Sequence, residues 1–242
     1  MKFIPHISVM AFTIATFLPS TLFAATSDTT AFSDAWKAHD VAKIEAAFAL
    51  DAIYQDAVLR GGTGSAIAEY AATFKDATFV LERSTDTAEN QVDLHWAITW
   101  PDARGTLHYV DHITLKDKKI EALTSESTDP VPPATLALVK TYYSTWSSAD
   151  KPAIKALFGK NGSYMDRYVP GGASGDALDN VIKFHISFDT NLDEAGRVQW
   201  TKDGRIASDF EVFRKGSKSR VIRGRDLMRI QDGTFDEVIG VF

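Results

Sequence analysis

From residue 92 the chain alternates. Val92, Leu94, Trp96, Ile98 and Trp100 are apolar, with Asp93, His95, Ala97 and Thr99 between them. Period two predicts a strand with one buried face. Segments 106–116 and 221–230 alternate in the same way. Turns at Asp117-Lys118-Lys119 and Asp232-Gly233-Thr234 lead to final strands. Earlier segments are helical in spacing. Phe32, Trp36 and Val41 open one helix, and Leu138, Tyr142 and Trp146 open another. Asp40 and Asp150 stand where an N-cap belongs, and Pro152 suits the first turn that follows. Ile44 and Phe48, like Ile154 and Phe158, are spaced to share one face of the next helix. Short strands at Tyr54-Gln55-Asp56 and Tyr164-Met165-Asp166 run into glycine-rich turns. A third helix is expected over about 65–74, and again over 176–184.

These elements occur twice. Trp36, Asp40, Ile44, Phe48, Tyr54, Asp56, Gly61 and Gly62 recur 110 residues later as Trp146, Asp150, Ile154, Phe158, Tyr164, Asp166, Gly171 and Gly172. Further on the offset is 115, where Asp111 matches Asp226 and Ile120 matches Phe235. Helices first and strands afterwards predict an α+β class. The expected architecture is two tandem domains, each with about three helices packed into a curved antiparallel sheet that leaves a cavity between them. The divisions are 1–24, 27–126, a proline-rich linker at 127–134 centred on Asp129-Pro130-Val131-Pro132-Pro133, and 135–242.

Residues 1–24 read as a secretory signal: Lys2, an apolar run from Ile7 to Leu18, then Leu22-Phe23-Ala24 before the cleavage point. The expected location is therefore periplasmic or secreted. No later segment is long and apolar enough to span a membrane. With no cysteine, the chain has no disulfide, thiol nucleophile or thiolate metal site. The formal charge of −6 argues against a nucleic-acid partner. The local stripe Arg220, Arg223, Arg225 and Arg229 reads as a solvated strand face.

The sharpest chemical signal lies on the late strands. Leu107, Tyr109, Asp111, Ile113 and Leu115 share one face, and Ile222, Gly224, Asp226, Met228 and Ile230 share another. Each apolar stripe holds one aspartate. Such a carboxyl must be paired, hydrogen-bonded or kept protonated. It is either a core acceptor or a pocket acid that donates to a ligand oxygen. The two Tyr-x-Asp pairs set a phenol beside a carboxylate, which suits proton transfer or, more simply, a turn aspartate next to a packed tyrosine. His95 and His108 fall on the opposite strand faces, where solvent is expected. His108 and His112 lack a third metal ligand, so no metal and no cofactor is expected.

The order Trp-x-x-x-Asp, Ile, Phe, Tyr-x-Asp, glycine turn and the late strand Val110-Asp111-His112-Ile113 resembles the nuclear transport factor 2-like superfamily, in its SnoaL-like or ketosteroid-isomerase-like branch. The resemblance implies two tandem cone-shaped domains, each a strongly bent antiparallel sheet wrapped round three helices, with a pocket at the open end. It implies a general base at Asp56 or Asp166, a late acid at Asp111 or Asp226, and a helix phenol at Tyr142, where the first copy has Phe32. Tyr142, Asp166 and Asp226 are thus the catalytic candidates. Tyr54, Asp56, Tyr109, Asp111, Tyr164 and Met228 are candidate ligand contacts. Three functions fit: binding of a small apolar or carbonyl-bearing molecule, an isomerase, cyclase or dehydratase, or an interaction module with vestigial pockets. The two copies are expected to pair within one monomer as a pseudo-dimer.

Overall fold

A computed structural model describes residues 24–62, 64–101 and 104–242. The expected signal, 1–24, lies outside these except for Ala24, which begins the first helix.

The first copy runs α1 (Ala24–Lys37), α2 (Val41–Ala47), β1 (Phe48–Gln55), β2 (Arg60–Gly62), α3 (Gly64–Ala72), β3 (Thr78–Ala88), β4 (Gln91–Thr99), β5 (Thr106–Lys116) and β6 (Lys119–Ser127). The second runs α4 (Pro133–Ser148), α5 (Lys151–Ala156), β7 (Phe158–Asp166), β8 (Val169–Ser174), α6 (Gly175–Ile186), β9 (Thr190–Glu194), β10 (Gln199–Trp200), β11 (Ile206–Arg214), β12 (Arg220–Gln231) and β13 (Thr234–Val241). The first sheet has the order β2-β1-β6-β5-β4-β3; the second has β10-β11-β12-β13-β7-β8, with β9 also on β11. The α+β class with two tandem sheet-and-helix bodies holds. Each sheet is mixed rather than wholly antiparallel, because β1 lies parallel to β6 and β7 parallel to β13. The chain enters each sheet beside its last strand, and both run the same way.

The local signals act as their chemistry demands. Asp40 accepts from Lys43 N at 3.1 Å and Asp150 from Ala153 N at 3.0 Å, so both cap their helices. The helices end early, α2 at Ala47 and α5 at Ala156: Phe48 and Phe158 open β1 and β7 instead of closing α2 and α5, yet both stay buried. Gly61 and Gly172 take positive φ, +76° and +71°, as the glycine turns require.

Two aromatic-rich cores result. In the first, Trp36 meets Phe32, Phe74 and Phe79 at ring separations of 6.2, 5.8 and 5.1 Å. Burying each such side chain contributes roughly 1.5–3 kcal/mol before entropy is counted. In the second, Tyr142 lies edge-on to Trp146 and Phe235. The alternating strands place Asp111 and Asp226 inward at 1% and 2% exposure.

The two copies touch through the β10–β11 hairpin. Trp200 packs against both cores. Ala57 joins Ala207 and Leu227 in a small apolar cluster. Arg225 pairs with Asp209 at 2.7 Å and donates to Ala57 O, so this member of the arginine stripe is an interdomain contact and not a solvated side chain. Among the described residues no helix is long and apolar enough to cross a membrane.

Candidate functional site

The equivalent aspartates have different fates. In the first copy the place a ligand would take is filled by Lys202, from the turn between β10 and β11. Its Nζ lies 2.7 Å from Asp111 Oδ1 and 3.3 Å from Tyr54 OH, and above the rings of Trp36 (5.4 Å) and Tyr54 (5.6 Å). Asp111 also accepts from Trp96 Nε1 at 3.0 Å. Tyr109 donates to Thr201 O at 2.6 Å, and Arg104 donates to Asp203 O at 3.0 Å. Lys202 is 3% exposed. Tyr54, Asp56, Tyr109 and Asp111 are therefore not open ligand contacts: a lysine from the other domain pairs with the acid that was expected to face a ligand. Burial raises the Asp56 carboxyl above its usual value, while Lys202 and hydrogen bonds from Leu59, Val58 and Tyr54 oppose the rise.

The second copy keeps a cavity of about 370 Å³. Its size is at the lower end of ligand pockets, about 300–1,000 Å³. Tyr142, Trp146, Tyr164, His185, Phe210 and Asp226 are among the residues that wall it. Among the described residues no cation pairs with Asp226. Tyr143 OH donates to its Oδ2 at 3.1 Å. Burial pushes its pKa up to about 8; the Tyr143 hydrogen bond opposes the rise and the Asp166 charge adds to it. Near neutral pH Asp226 is thus mostly a carboxylic acid, a donor facing an apolar cavity. Gly240 lies opposite it in the ladder. A Cβ there would stand 3.3 Å from Tyr164 OH and 3.4 Å from Asp226 Oδ1, so a side chain would crowd both groups.

Asp166 stands behind the wall. Its Oδ1 accepts from Tyr168 N (2.8 Å) and Val169 N (3.0 Å), and its Oδ2 meets Tyr164 OH (3.1 Å) and His185 Nε2 (2.8 Å). Asp56 caps the matching turn, accepting from Val58 N and Leu59 N. Both Tyr-x-Asp pairs thus build a turn first. Asp166, expected as a base touching the ligand, reaches the cavity only through Tyr164 and His185. His185 Nδ1 lies 2.9 Å from Val181 O. Since that carbonyl can only accept, Nδ1 carries a proton. The Asp166–His185 pair then holds either a carboxylate with an imidazolium or a carboxylic acid with a neutral ring.

Three further expectations need adjusting. Tyr142 lines the cavity, but the phenol on Asp226 belongs to its neighbour Tyr143. Met228 is wholly buried in the second core and is not a cavity contact. His185 was missed: its counterpart 110 residues earlier is Lys75, so the repeat gave no signal. The three strand histidines lie where alternation puts them, with His95 against Arg83, His108 against Asp129 and His112 against Asp93. Among the described residues no group of three His, Asp or Glu side chains could hold a metal ion.

Residues 29–123 match the family model of the SnoaL-like domain. The match spans most of the first copy. The second repeats its order of elements, with β9 and β10 in place of β3. The chain is similar to a putative ketosteroid isomerase from Kribbella flavida (13% identity over 46% of this chain and 83% of that one, TM-score 0.42). It is similar to a putative polyketide cyclase from Sinorhizobium meliloti (22%, 43% and 100%, 0.37). A third similar structure is an LEH-like epoxide hydrolase from M. tuberculosis (18%, 44% and 84%, 0.37). No curated relative matches the chain.

Proposed function

We propose that this is an exported, monomeric protein whose second SnoaL-like domain binds a small, mostly apolar molecule carrying a hydroxyl or carbonyl oxygen. The observation that carries this reading is Asp226. A buried acid whose pKa is pushed up to about 8, in the wall of an aromatic cavity, donates a hydrogen bond to a ligand oxygen at neutral pH. The first domain is the interaction module of the pair, with Lys202 as its occupant, and the one-chain contact between the copies supports the pseudo-dimer. Export rests on the apolar amino-terminal segment alone.

A second reading, proton-transfer catalysis of the isomerase, cyclase or dehydratase type, is favoured by the 2.8 Å Asp166–His185 contact beside Asp226. Asp226, near neutral in pKa and facing the cavity, is then the exchanging acid and base. Asp166 and His185 set the local charge and hold Tyr164.

The test is native mass spectrometry of the mature protein purified from an exporting host. The binding reading expects a retained small-molecule mass that Asp226→Asn weakens. A bare single-chain mass, with no binding in a screen of apolar ketones and phenols, would count against it. Turnover found in that screen and lost in Asp226→Asn would favour catalysis.

A further inference from the structure

The cavity has chemistry at both ends. Ser208, Phe210, Val212 and Arg214 share one face of β11 by period two. Asp226 lies opposite Ser208, Gly224 opposite Phe210 and Ile222 opposite Val212. Phe210, Val212, Ile222 and Arg214 all line the cavity. Six residues of strand, ~20 Å at the usual rise, separate the level of Asp226 from Arg214. The arginine side chain shortens that span. The cavity therefore runs along β11 from a buried acid to an exposed cation.

The outer end is built differently from the inner one. Tyr168, Phe188 and Val221 line it and remain 54%, 54% and 57% exposed. Lys215 joins Arg214 there. Acids lie nearby as well: Asp189 lines the cavity, and Glu194 stands opposite Phe210 on β9. Glu211 pairs with Arg220 at 2.7 Å, and Asp189 meets Lys215 at 3.4 Å through solvent-exposed side chains. Arg214 makes no ion pair among the described residues. Arg167, next to Tyr168 in the chain, lies over the Tyr168 and Phe242 rings and donates to Phe242 O. A volume of about 370 Å³ spread along this length is narrow.

We propose that the ligand of this cavity is an amphipathic acid. It has a slender apolar body, a hydroxyl or carbonyl oxygen at the inner end, and a carboxylate at the outer end held by Arg214 and Lys215. This rests on the binding function proposed above and adds the polarity and direction of the ligand. The anion enters last and stays at the mouth, where it keeps most of its hydration. The apolar body displaces water along Phe210 and Val212. The oxygen meets Asp226 and the phenols around it.

The experiment compares ω-hydroxydodecanoate with α,ω-dodecanediol on the full mature chain by titration calorimetry, below micelle-forming concentrations. The two probes share length and inner hydroxyl and differ in the outer group, a carboxylate in one and a hydroxymethyl in the other. The expected result is that the acid binds about tenfold more tightly, a modest gain because the cations are exposed. That preference should collapse in Arg214→Gln/Lys215→Gln and shrink as salt is raised. Equal affinities in the unsubstituted protein, or a preference that survives the double substitution, would overturn the amphipathic-acid proposal while leaving cavity binding in place. Failure of both probes to bind would remove the cavity-binding reading with it.

Discussion

Replacing Lys202 by methionine keeps most of its volume and removes its charge. Asp111 would then be a carboxylate at 1% exposure with Trp96 Nε1 as its remaining strong donor. The ammonium lost is 2.7 Å from that carboxylate and lies over two aromatic rings. Removing one partner of a buried ion pair costs about 3–5 kcal/mol, mainly because the other charge is stranded. Lys202→Met should therefore destabilise the protein by about that amount. In Lys202→Met/Asp111→Asn no charge is stranded, and the amide oxygen still accepts from Trp96. The double variant should recover at least half the loss. Urea unfolding followed by tryptophan fluorescence measures all four members of the cycle. Trp36 and Trp96 adjoin the pair and report on it directly. A loss below ~1 kcal/mol in the single variant, or a coupling near zero, would refute the reasoning. It would mean that Lys202 is hydrated in solution and that the first cavity is open.

Other outcomes follow from the second domain. Asp226 has an ordinary value of 3.8 and a folded value of about 8. Between these the folded state holds the extra proton. Stability from this group is therefore full below the unfolded value and falls as pH rises towards 8, with a slope of up to ~1.4 kcal/mol per pH unit. Asp226→Asn should flatten that part of the profile in urea melts between pH 4 and pH 8; an unchanged slope would contradict a neutral Asp226. Tyr143→Phe removes the hydrogen bond that holds the Asp226 pKa down, so its carboxyl should titrate higher still by carbon-13 NMR. A shift downwards would show that another group is the donor. Ala149 closes α4 at φ +56°, a left-handed conformation that costs a non-glycine residue roughly 1–2 kcal/mol. Ala149→Gly should raise the thermal midpoint, with about 1 kcal/mol of stabilisation, and a fall would contradict that geometry.

The features legible in the sequence were those that a local rule or the repeat could carry. Asp40 and Asp150 read as caps because a carboxylate before a helix has few other uses. Asp111 and Asp226 read as buried because their neighbours at period two are apolar. Their divergence was not legible, since it depends on which side chain arrives from elsewhere. Lys202 lies in Thr201-Lys202-Asp203-Gly204, which reads as an ordinary turn with a solvated lysine. Only the docking of that hairpin on the first domain buries it. The resemblance points to Tyr142 and not to Tyr143, and one step along a helix turns a side chain by 100°, from Phe235 towards Ser208 and Asp226. The parallel pairings were missed for a similar reason: the alternation of a strand says which face is buried, but not which neighbour it takes. His185 and Lys202 have no like residue in the other copy, so asymmetry between the copies was the available clue to both.

The central claim is that two copies of one fold hold one filled socket and one open cavity. The most direct measurement is an amide and indole nitrogen–proton NMR titration of the mature protein with 1-naphthol, an apolar ring carrying one hydroxyl. The account predicts saturable shifts at Trp146, Phe210 and the strand around Asp226, with the Trp36 and Trp96 indoles unmoved. Shifts centred on Trp36, Trp96 and Lys202, with the second domain silent, would contradict it.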